Sequence, residues 1–257
     1  MAKIFIAMEN PASWLGNKYD NLPLSDRYQS GTLTSPKYVT RQHAFGGKKF
    51  DDVSAKKERG KIEAIFNSTS PFGPGNQGML AASGSLMSMM NRLRHFGNSD
   101  SVPVDTIVFI GHGCAGTMAV GSGPFAYTDE QKQIFDMEKR DIDLFNTTAW
   151  QPVFEGIREQ VGPGIGGRVH IFLLGCSTAV GSNRLRHRPT LISHVARTLH
   201  RALKHPVAVY GVNDDLDYKD TPAVVKNLLQ IEASEDDSYS VPNTSVTLGV
   251  ERAGEAE

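Results

Sequence analysis

Two apolar runs in the middle of the chain end in the same way. Thr106 to Ile110 (TIVFI) is continuous, β-branched and apolar, and stops at Gly111-His112-Gly113; Val169 to Leu174 (VHIFLL) stops at Gly175-Cys176-Ser177. Uninterrupted runs of this length predict strands covered on both faces, as in a parallel sheet held between helices. Lys3 to Met8 (KIFIAM) predicts a further short buried strand, and Pro206 to Val212 (PVAVYGV) another. Between them the period changes. Gly78 to Phe96 carries Met79, Leu80, Leu86, Met87, Met90, Leu93 and Phe96 at spacings near three and four, which predicts one helix with a broad apolar face and methionines as core filler. Asp129 to Lys139 and Thr148 to Val161 are further candidate helices. Another helix opens with Pro189 and carries Leu191, Ile192, Val195, Leu199 and Leu203 on one face. Strand and helix therefore alternate, and the expected fold class is α/β, a doubly wound and mostly parallel sheet.

The ends of the chain carry weaker patterns. Glu9 to Gly47 is rich in Pro, Gly, Asn, Ser and Thr and reads as loop. Asp51 to Lys61 has helical composition, Lys61 to Asn67 fits a helix end or a strand, and Ser68 to Gly78 is packed with turn residues. Glu232 to Ser240 is acidic and polar, Val241 to Val250 predicts an edge strand or hairpin, and Glu251 to Glu257 reads as a frayed tail. There is no internal repeat. The expected organisation is one domain over 1–257: a strand and an elaborated N-terminal region in 1–75, a core in 76–215, and a C-terminal extension with its tail in 216–257.

Composition narrows the classes of function. With 257 residues, 39% hydrophobic and 21% charged, the chain has material for one sizeable core. A formal net charge of −1, from 27 basic and 28 acidic residues, provides no global field for nucleic acid or an anionic membrane, so neither is an expected partner. Ile4 to Met8 is too short for a signal-peptide core, and no later run approaches the roughly 18 apolar residues of a membrane span. The expected location is the cytoplasm, or a target cell reached without a cleavable signal. Only Cys114 and Cys176 are cysteines, so no disulfide framework is expected and each thiol needs its own explanation.

Reactive residues of open parallel sheets collect beyond the carboxyl ends of the strands, where loops diverge and backbone N–H groups become available. His112 and Cys176 both occupy such positions. A thiolate attacks a carbonyl well, yet a thiol is mostly protonated at neutral pH and needs a base nearby. A histidine on the neighbouring strand end supplies that base and then protonates the leaving amine. Gly113 and Cys176 are the natural backbone donors to the developing oxyanion. Taken singly, the histidine reads as a hydrogen-bonded structural residue and the cysteine as an inert small hydrophobe. Their matched placement, each framed by glycine after its own apolar strand, favours acyl-transfer chemistry.

The blocks Thr106 to Gly123 (TIVFIGHGCAGTMAVGSG) and Val169 to Gly181 (VHIFLLGCSTAVG) resemble the His-Gly and Cys blocks of the clan CD cysteine peptidases. That clan includes caspases, legumains, gingipains, separases, bacterial CHAT proteases and the self-processing cysteine-protease domains of bacterial toxins. The phrases IGHG and LLGCS are most similar to the CHAT-like and toxin branches, and the likeness spans Asp105 to about Asp215. The resemblance implies a caspase-like three-layer α/β sandwich and a His112–Cys176 dyad with no obligatory orienting acid. It further implies an oxyanion hole from the Gly113 and Cys176 amides, no cofactor, no catalytic metal, and a protein or peptide substrate. Self-cleavage, or dependence on an activating ligand or partner protein, is also implied, and the long stretch Gly116 to Gly167 with its charged run Asp129 to Asp143 is where such regulation is expected. The chain departs from true caspases and legumains, having no Gln-Ala-Cys-Arg-Gly block and no acid just ahead of the cysteine.

In the resembling families the position two before the cysteine lines the pocket for the residue before the cut. Residues two apart on a strand point the same way, so Leu174 shares a side with Cys176. An apolar Leu174 predicts cleavage after an uncharged or apolar side chain. The competing expectation is that Asp214, Asp215 or Asp217, just past PVAVYGV, selects a basic residue; the simpler one is that these aspartates form a solvated loop. Other chemistries fit less well. Cys114 reads as a small buried thiol, and zinc on His112, Cys114 and Cys176 lacks an evident fourth ligand. A nucleophile elbow needs glycine where Leu174 and Thr178 stand, and a Cys-x5-Arg phosphatase cradle needs arginine at Ser182. Gly162 to Gly167 precedes a strand and reads as a turn, while His170, His187, His194, His200 and His205 read as local or surface histidines. The alternative of a different class is a non-catalytic interaction or regulatory module on the same fold.

Overall fold

The computed structural model of the chain describes residues 2–9, 29–32, 35–38, 75–83, 86–111, 113–119, 141–143, 147–181, 190–217 and 219–254. Its strands are β1 (Lys3–Glu9), β2 (Gln29–Thr32), β3 (Ser35–Tyr38), β4 (Gln77–Ser83), β5 (Thr106–Ile110) and β6 (Gly113–Cys114). They continue with β7 (Thr117–Ala119), β8 (Asp141–Asp143), β9 (Val169–Leu174), β10 (Val207–Val212), β11 (Ser238–Ser240) and β12 (Thr247–Ala253). The helices are α1 (Leu86–Gly97), α2 (Thr147–Glu155), α3 (Leu191–Leu203), α4 (Thr221–Lys226) and α5 (Leu228–Glu232).

A seven-stranded sheet in the order β11-β12-β10-β9-β5-β1-β4 organises the chain. Its members β4, β1, β5, β9 and β10 run parallel, and β12 and β11 are added antiparallel at one end. Every residue of β5, β9 and β10 is buried, which is what their unbroken apolar sequences demand. Alternate side chains divide between two cores. Ile107, Phe109, Ile171, Leu173, Val207 and Val209 join Leu86, Met90 and Leu93 of α1, Trp150 and Phe154 of α2, and Leu191, Val195 and Leu199 of α3. Val108, Ile110, Phe172, Leu174, Ala208 and Tyr210 join Leu216 of the loop after β10, Val224 and Val225 of α4, and Leu228 and Ile231 of α5. The protein is thus α/β, with helices contributing to the core on each face of a mostly parallel sheet. The strands β1 and β12, from outside 76–215, belong to this same sheet.

One predicted helix divides. Gln77–Ser83 is a strand, paired in parallel with β1 from Lys3↔Gln77 to Glu9↔Ser83, and the helix begins only at Leu86. The adjacent apolar residues Met79 and Leu80 explain it. Met79 packs against one core and Leu80 against the other, as successive strand residues do, whereas a helix would have turned both toward one face. The helix expected over Thr148 to Val161 stops at Glu155, with Pro152 inside it, and gives way to a 3₁₀ turn at Arg158–Gln160. α3 fits its expected face, and Thr190 caps it, its hydroxyl oxygen accepting from Ser193 N–H at 3.1 Å. A C-terminal hairpin is present but wider than the expected Val241 to Val250: its strands are Ser238–Ser240 and Thr247–Ala253, so Glu251 to Ala253, read as tail, continue the strand that pairs with β10. Within Glu9 to Gly47 the antiparallel pair β2–β3 has no alternating apolar signal that could have disclosed it. The readings made for Asp51 to Lys61, Lys61 to Asn67, Asp129 to Lys139 and Pro189 lie outside the described residues. Among the described residues no helix is long and apolar enough to cross a membrane.

The amino-terminal end of the sheet holds buried polar groups that the apolar pattern does not announce. Lys3 is wholly buried, and its ammonium donates to Asp100 Oδ1 at 2.6 Å and to Val102 O at 3.0 Å while lying 4.8 Å over the Phe96 ring. The Lys3 hydrogen bond, helped by Gln77, brings the Asp100 carboxyl down to about 2. Next to it, Thr106 Oγ1 lies 2.9 Å from Asp105 Oδ1 and 2.8 Å from Glu232 Oε1. A hydroxyl has one proton to donate. With Thr106 donating to Asp105, a protonated Glu232 donates to Thr106 in turn. Burial pushes the Glu232 carboxyl up to about 8; Thr106, which can donate to the ionised form, opposes that rise.

The folded state therefore keeps a proton on Glu232 that the unfolded chain releases near the ordinary value of 4.5. Stability attributable to this group is full below that value and declines as pH rises toward about 8, because the unfolded state binds fewer protons across that window. Glu232→Gln keeps a donor for Thr106 and has no proton to lose. Thermal melts from pH 5 to 8 should show the wild type losing stability more steeply than the variant; parallel curves would contradict a protonated Glu232.

Candidate active site at the carboxyl ends of β5 and β9

β5 and β9 pair in parallel up to Ile110↔Leu174, and Gly111 N–H donates to Leu174 O at 3.2 Å just beyond them. The two chains then turn against each other at backbone distance. A methyl on Gly175 would meet Gly111 O and Gly113 N, each at 3.0 Å; one on Gly113 would meet Cys176 O at 2.8 Å and Gly175 C at 2.9 Å. Only glycine permits this approach. It is what brings the segment around His112 beside the one that carries Cys176. His112 itself lies outside the described residues, as do the side chains of Cys114, Met8 and Glu9. Gly113 is buried and pairs with Met118 at the start of the small sheet β6–β7–β8.

Cys176 is half-buried and packs on the core face that holds Leu174. Its sulfur accepts from Leu216 N–H at 3.3 Å, and its thiol lies 3.7 Å from Leu216 O. Ser177 follows with φ at 56°, a left-handed conformation that costs a non-glycine residue about 1–2 kcal/mol. Its N–H donates to Asp214 O at 2.8 Å. The turn is secured by Thr178, which is fully buried. Its hydroxyl is shared between Leu173 O at 2.8 Å and Gly175 O at 3.1 Å, and its oxygen accepts from Val212 N–H at 2.9 Å. Ala179 N–H then donates to Val212 O at 3.0 Å, so the cysteine turn is tied to the end of β10.

Leu174 is fully buried in the core cluster against which Cys176 packs, on the face that the strand alternation predicts. Asp214 and Asp215 are exposed on the 213–217 loop. The Asp214 carboxylate accepts from Asp215 N–H at 2.8 Å, while Asp217 pairs with Lys219 at 3.0 Å, both side chains exposed. Thr178 and Leu216 were missed in the sequence. Leu216 had a signal, being the single apolar residue in NDDLD; Thr178 had none short of the fold.

Among the described histidines, the side chains of His170, His194 and His200 contact the scaffold. His170 sits in β9 with Nε2 at 2.8 Å from Ile165 O and Nδ1 at 3.0 Å from the Tyr210 hydroxyl. An Nε2–H tautomer donating to the carbonyl and accepting from the tyrosine satisfies both. Burial brings its pKa down to about 4, so the ring is neutral near pH 7. His194 meets Trp150 edge-on at 6.2 Å, and burial, then Arg197 and Arg201, lower its pKa. His200 Nδ1 lies 2.8 Å from His205 O. Ile165–Gly167 forms a 3₁₀ turn with Gly166 and Gly167 at positive φ, in keeping with a turn before β9. His187 and Ser182 lie outside the described residues.

Comparison with protein-family models, curated proteins and solved structures finds no match to this chain. Its chemistry has to be argued from the residues themselves.

Proposed function

We propose that the chain is a caspase-like cysteine endopeptidase in which Cys176 is the nucleophile and His112 the acid and base. The observation that carries this reading is the close approach of the glycine corners, where a methyl on Gly113 would stand 2.8 Å from Cys176 O and one on Gly175 3.0 Å from Gly111 O. In the reaction, His112 takes the thiol proton and the sulfur adds to the peptide carbonyl. The oxyanion is held by the N–H groups of Gly113 and Cys176. The C–N bond then breaks, His112 gives its proton to the leaving amine, and water attacks the thioester to return free thiol and a carboxylate product. Leu174, apolar and on the cysteine's side of the sheet, favours an uncharged or apolar residue before the cut. Asp214 and Asp215 are the rival determinants and would favour a basic one. The substrate is a protein or peptide, in the cytoplasm or in a cell into which the chain is delivered, and the enzyme cuts itself or answers to an activator.

A peptide library incubated with wild type and with Cys176→Ala tests this. Cleavage after apolar or uncharged residues, by the wild type alone, is the expected result. Strong preference for Arg or Lys would overturn the role given to Leu174, and equal cleavage by both proteins would overturn the role given to Cys176.

A further inference from the structure

The loop after β10 holds one apolar residue beside the Cys176 sulfur. Asn213, Asp214, Asp215 and Asp217 are all exposed, whereas Leu216 is only 9% exposed and belongs to the core cluster that contains Leu174 and packs against Cys176. The Leu216 backbone addresses the sulfur twice, through N–H at 3.3 Å and through its carbonyl at 3.7 Å. A scissile carbonyl carbon has to come within about 3–3.5 Å of that sulfur, which is the distance the Leu216 amide already takes. We propose that Leu216 is a built-in occupant of the substrate site, seated over Cys176 in place of the side chain before the cut, and that a substrate binds by displacing it.

This rests on the endopeptidase reading and adds two things to it. The first is regulation. The loop is held down over the cysteine by Leu216, by its two contacts with sulfur, and by Ser177 N–H donating to Asp214 O at 2.8 Å. Sulfur is a weak hydrogen-bond partner, so release of the loop depends mainly on breaking the Ser177–Asp214 hydrogen bond and moving one leucine into water. The second is substrate class. Apolar surroundings that accept this chain's own leucine accept a peptide bearing an aliphatic side chain of similar size.

The test uses the full chain and reads modification at Cys176 by mass spectrometry. Leu216→Ala should raise the rate of alkylation by iodoacetamide at least tenfold over wild type. Equal rates in the two folded proteins would overturn the proposal and leave Leu216 a core residue. Peptidyl chloromethyl ketones ending in leucine or lysine form the second arm: the leucine reagent should react faster with both proteins, and preference for the lysine reagent would overturn the assigned substrate class. If Leu216→Ala gains in iodoacetamide reactivity while neither peptidyl reagent ever reacts, Leu216 still covers the sulfur and it is the peptidase reading that fails. Should the variant not fold, hydrogen exchange of wild type decides. A reversible leucine peptide aldehyde should speed exchange at the Leu216 amide while it is bound, and slower or unchanged exchange in its presence contradicts displacement.

Discussion

Gly113→Ala is expected to abolish reaction at Cys176 and to lower stability by about 1–3 kcal/mol, the usual cost of forcing atoms into a packed site. The added methyl would stand 2.8 Å from Cys176 O, 2.9 Å from Gly175 C and 2.9 Å from the Thr178 methyl. Two of these are backbone atoms that cannot rotate away. The corners must separate, and separation moves the sulfur from whatever stands on the β5 side. Gly156→Ala is the control, because its tightest new contact is the end of the exposed Arg94 side chain at 3.2 Å, which donates to Gly156 O, while Val153 O and Pro152 O lie at ordinary contact distances of 3.5 and 3.6 Å. Urea denaturation and thiol-labelling rates of the two variants, compared with wild type, check this. Full labelling in Gly113→Ala would mean that the corner does not set the cysteine's surroundings.

Thr178→Val should cost about 2–3 kcal/mol, although the two side chains have nearly the same shape. The substitution removes the acceptor for Val212 N–H and the donor to Leu173 O and Gly175 O, all within buried surroundings. An orphaned buried backbone group alone costs about 1–3 kcal/mol. Thr178→Ser keeps the hydroxyl and loses the methyl near Gly113, so its cost should be distinctly smaller. The stability ordering wild type, serine, valine is measurable by denaturant titration, and a valine variant as stable as wild type would show that the hydroxyl does not hold the turn.

What the sequence disclosed follows from where the information lies. β5 and β9 were legible because each is short, almost wholly apolar and ended by glycine, and no helix of five or six residues leaves that trace. The cores on both faces followed from the same runs. β4 was misread because Met79, Leu80 and Ala81 satisfy a helical spacing as well as an alternating one, and only the open edge of β1 decides between them. α4 and α5 passed unnoticed since helices of six and five residues are too short to establish a period. Thr178, Glu232 and Lys3 could not be found by pattern at all. Their partners lie far along the chain or across a turn, Thr106 being 126 residues from Glu232, and a buried polar group is made tolerable by a contact that only the assembled sheet creates. Of the candidate site, the glycine framing of Cys176 and the side of the sheet shared with Leu174 were foreseeable; the Leu216 contact was not.

The most direct measurement is covalent capture of Cys176 by an electrophilic peptide, comparing wild type with His112→Ala, at several pH values and with intact mass and peptide mapping as the readout. A single adduct on Cys176 is expected in the wild type, with a rate lower by about 10²–10⁴ without the histidine, the range that general acid–base help supplies. An adduct formed equally fast in both proteins, or none at Cys176 under any condition, would contradict a His112–Cys176 dyad.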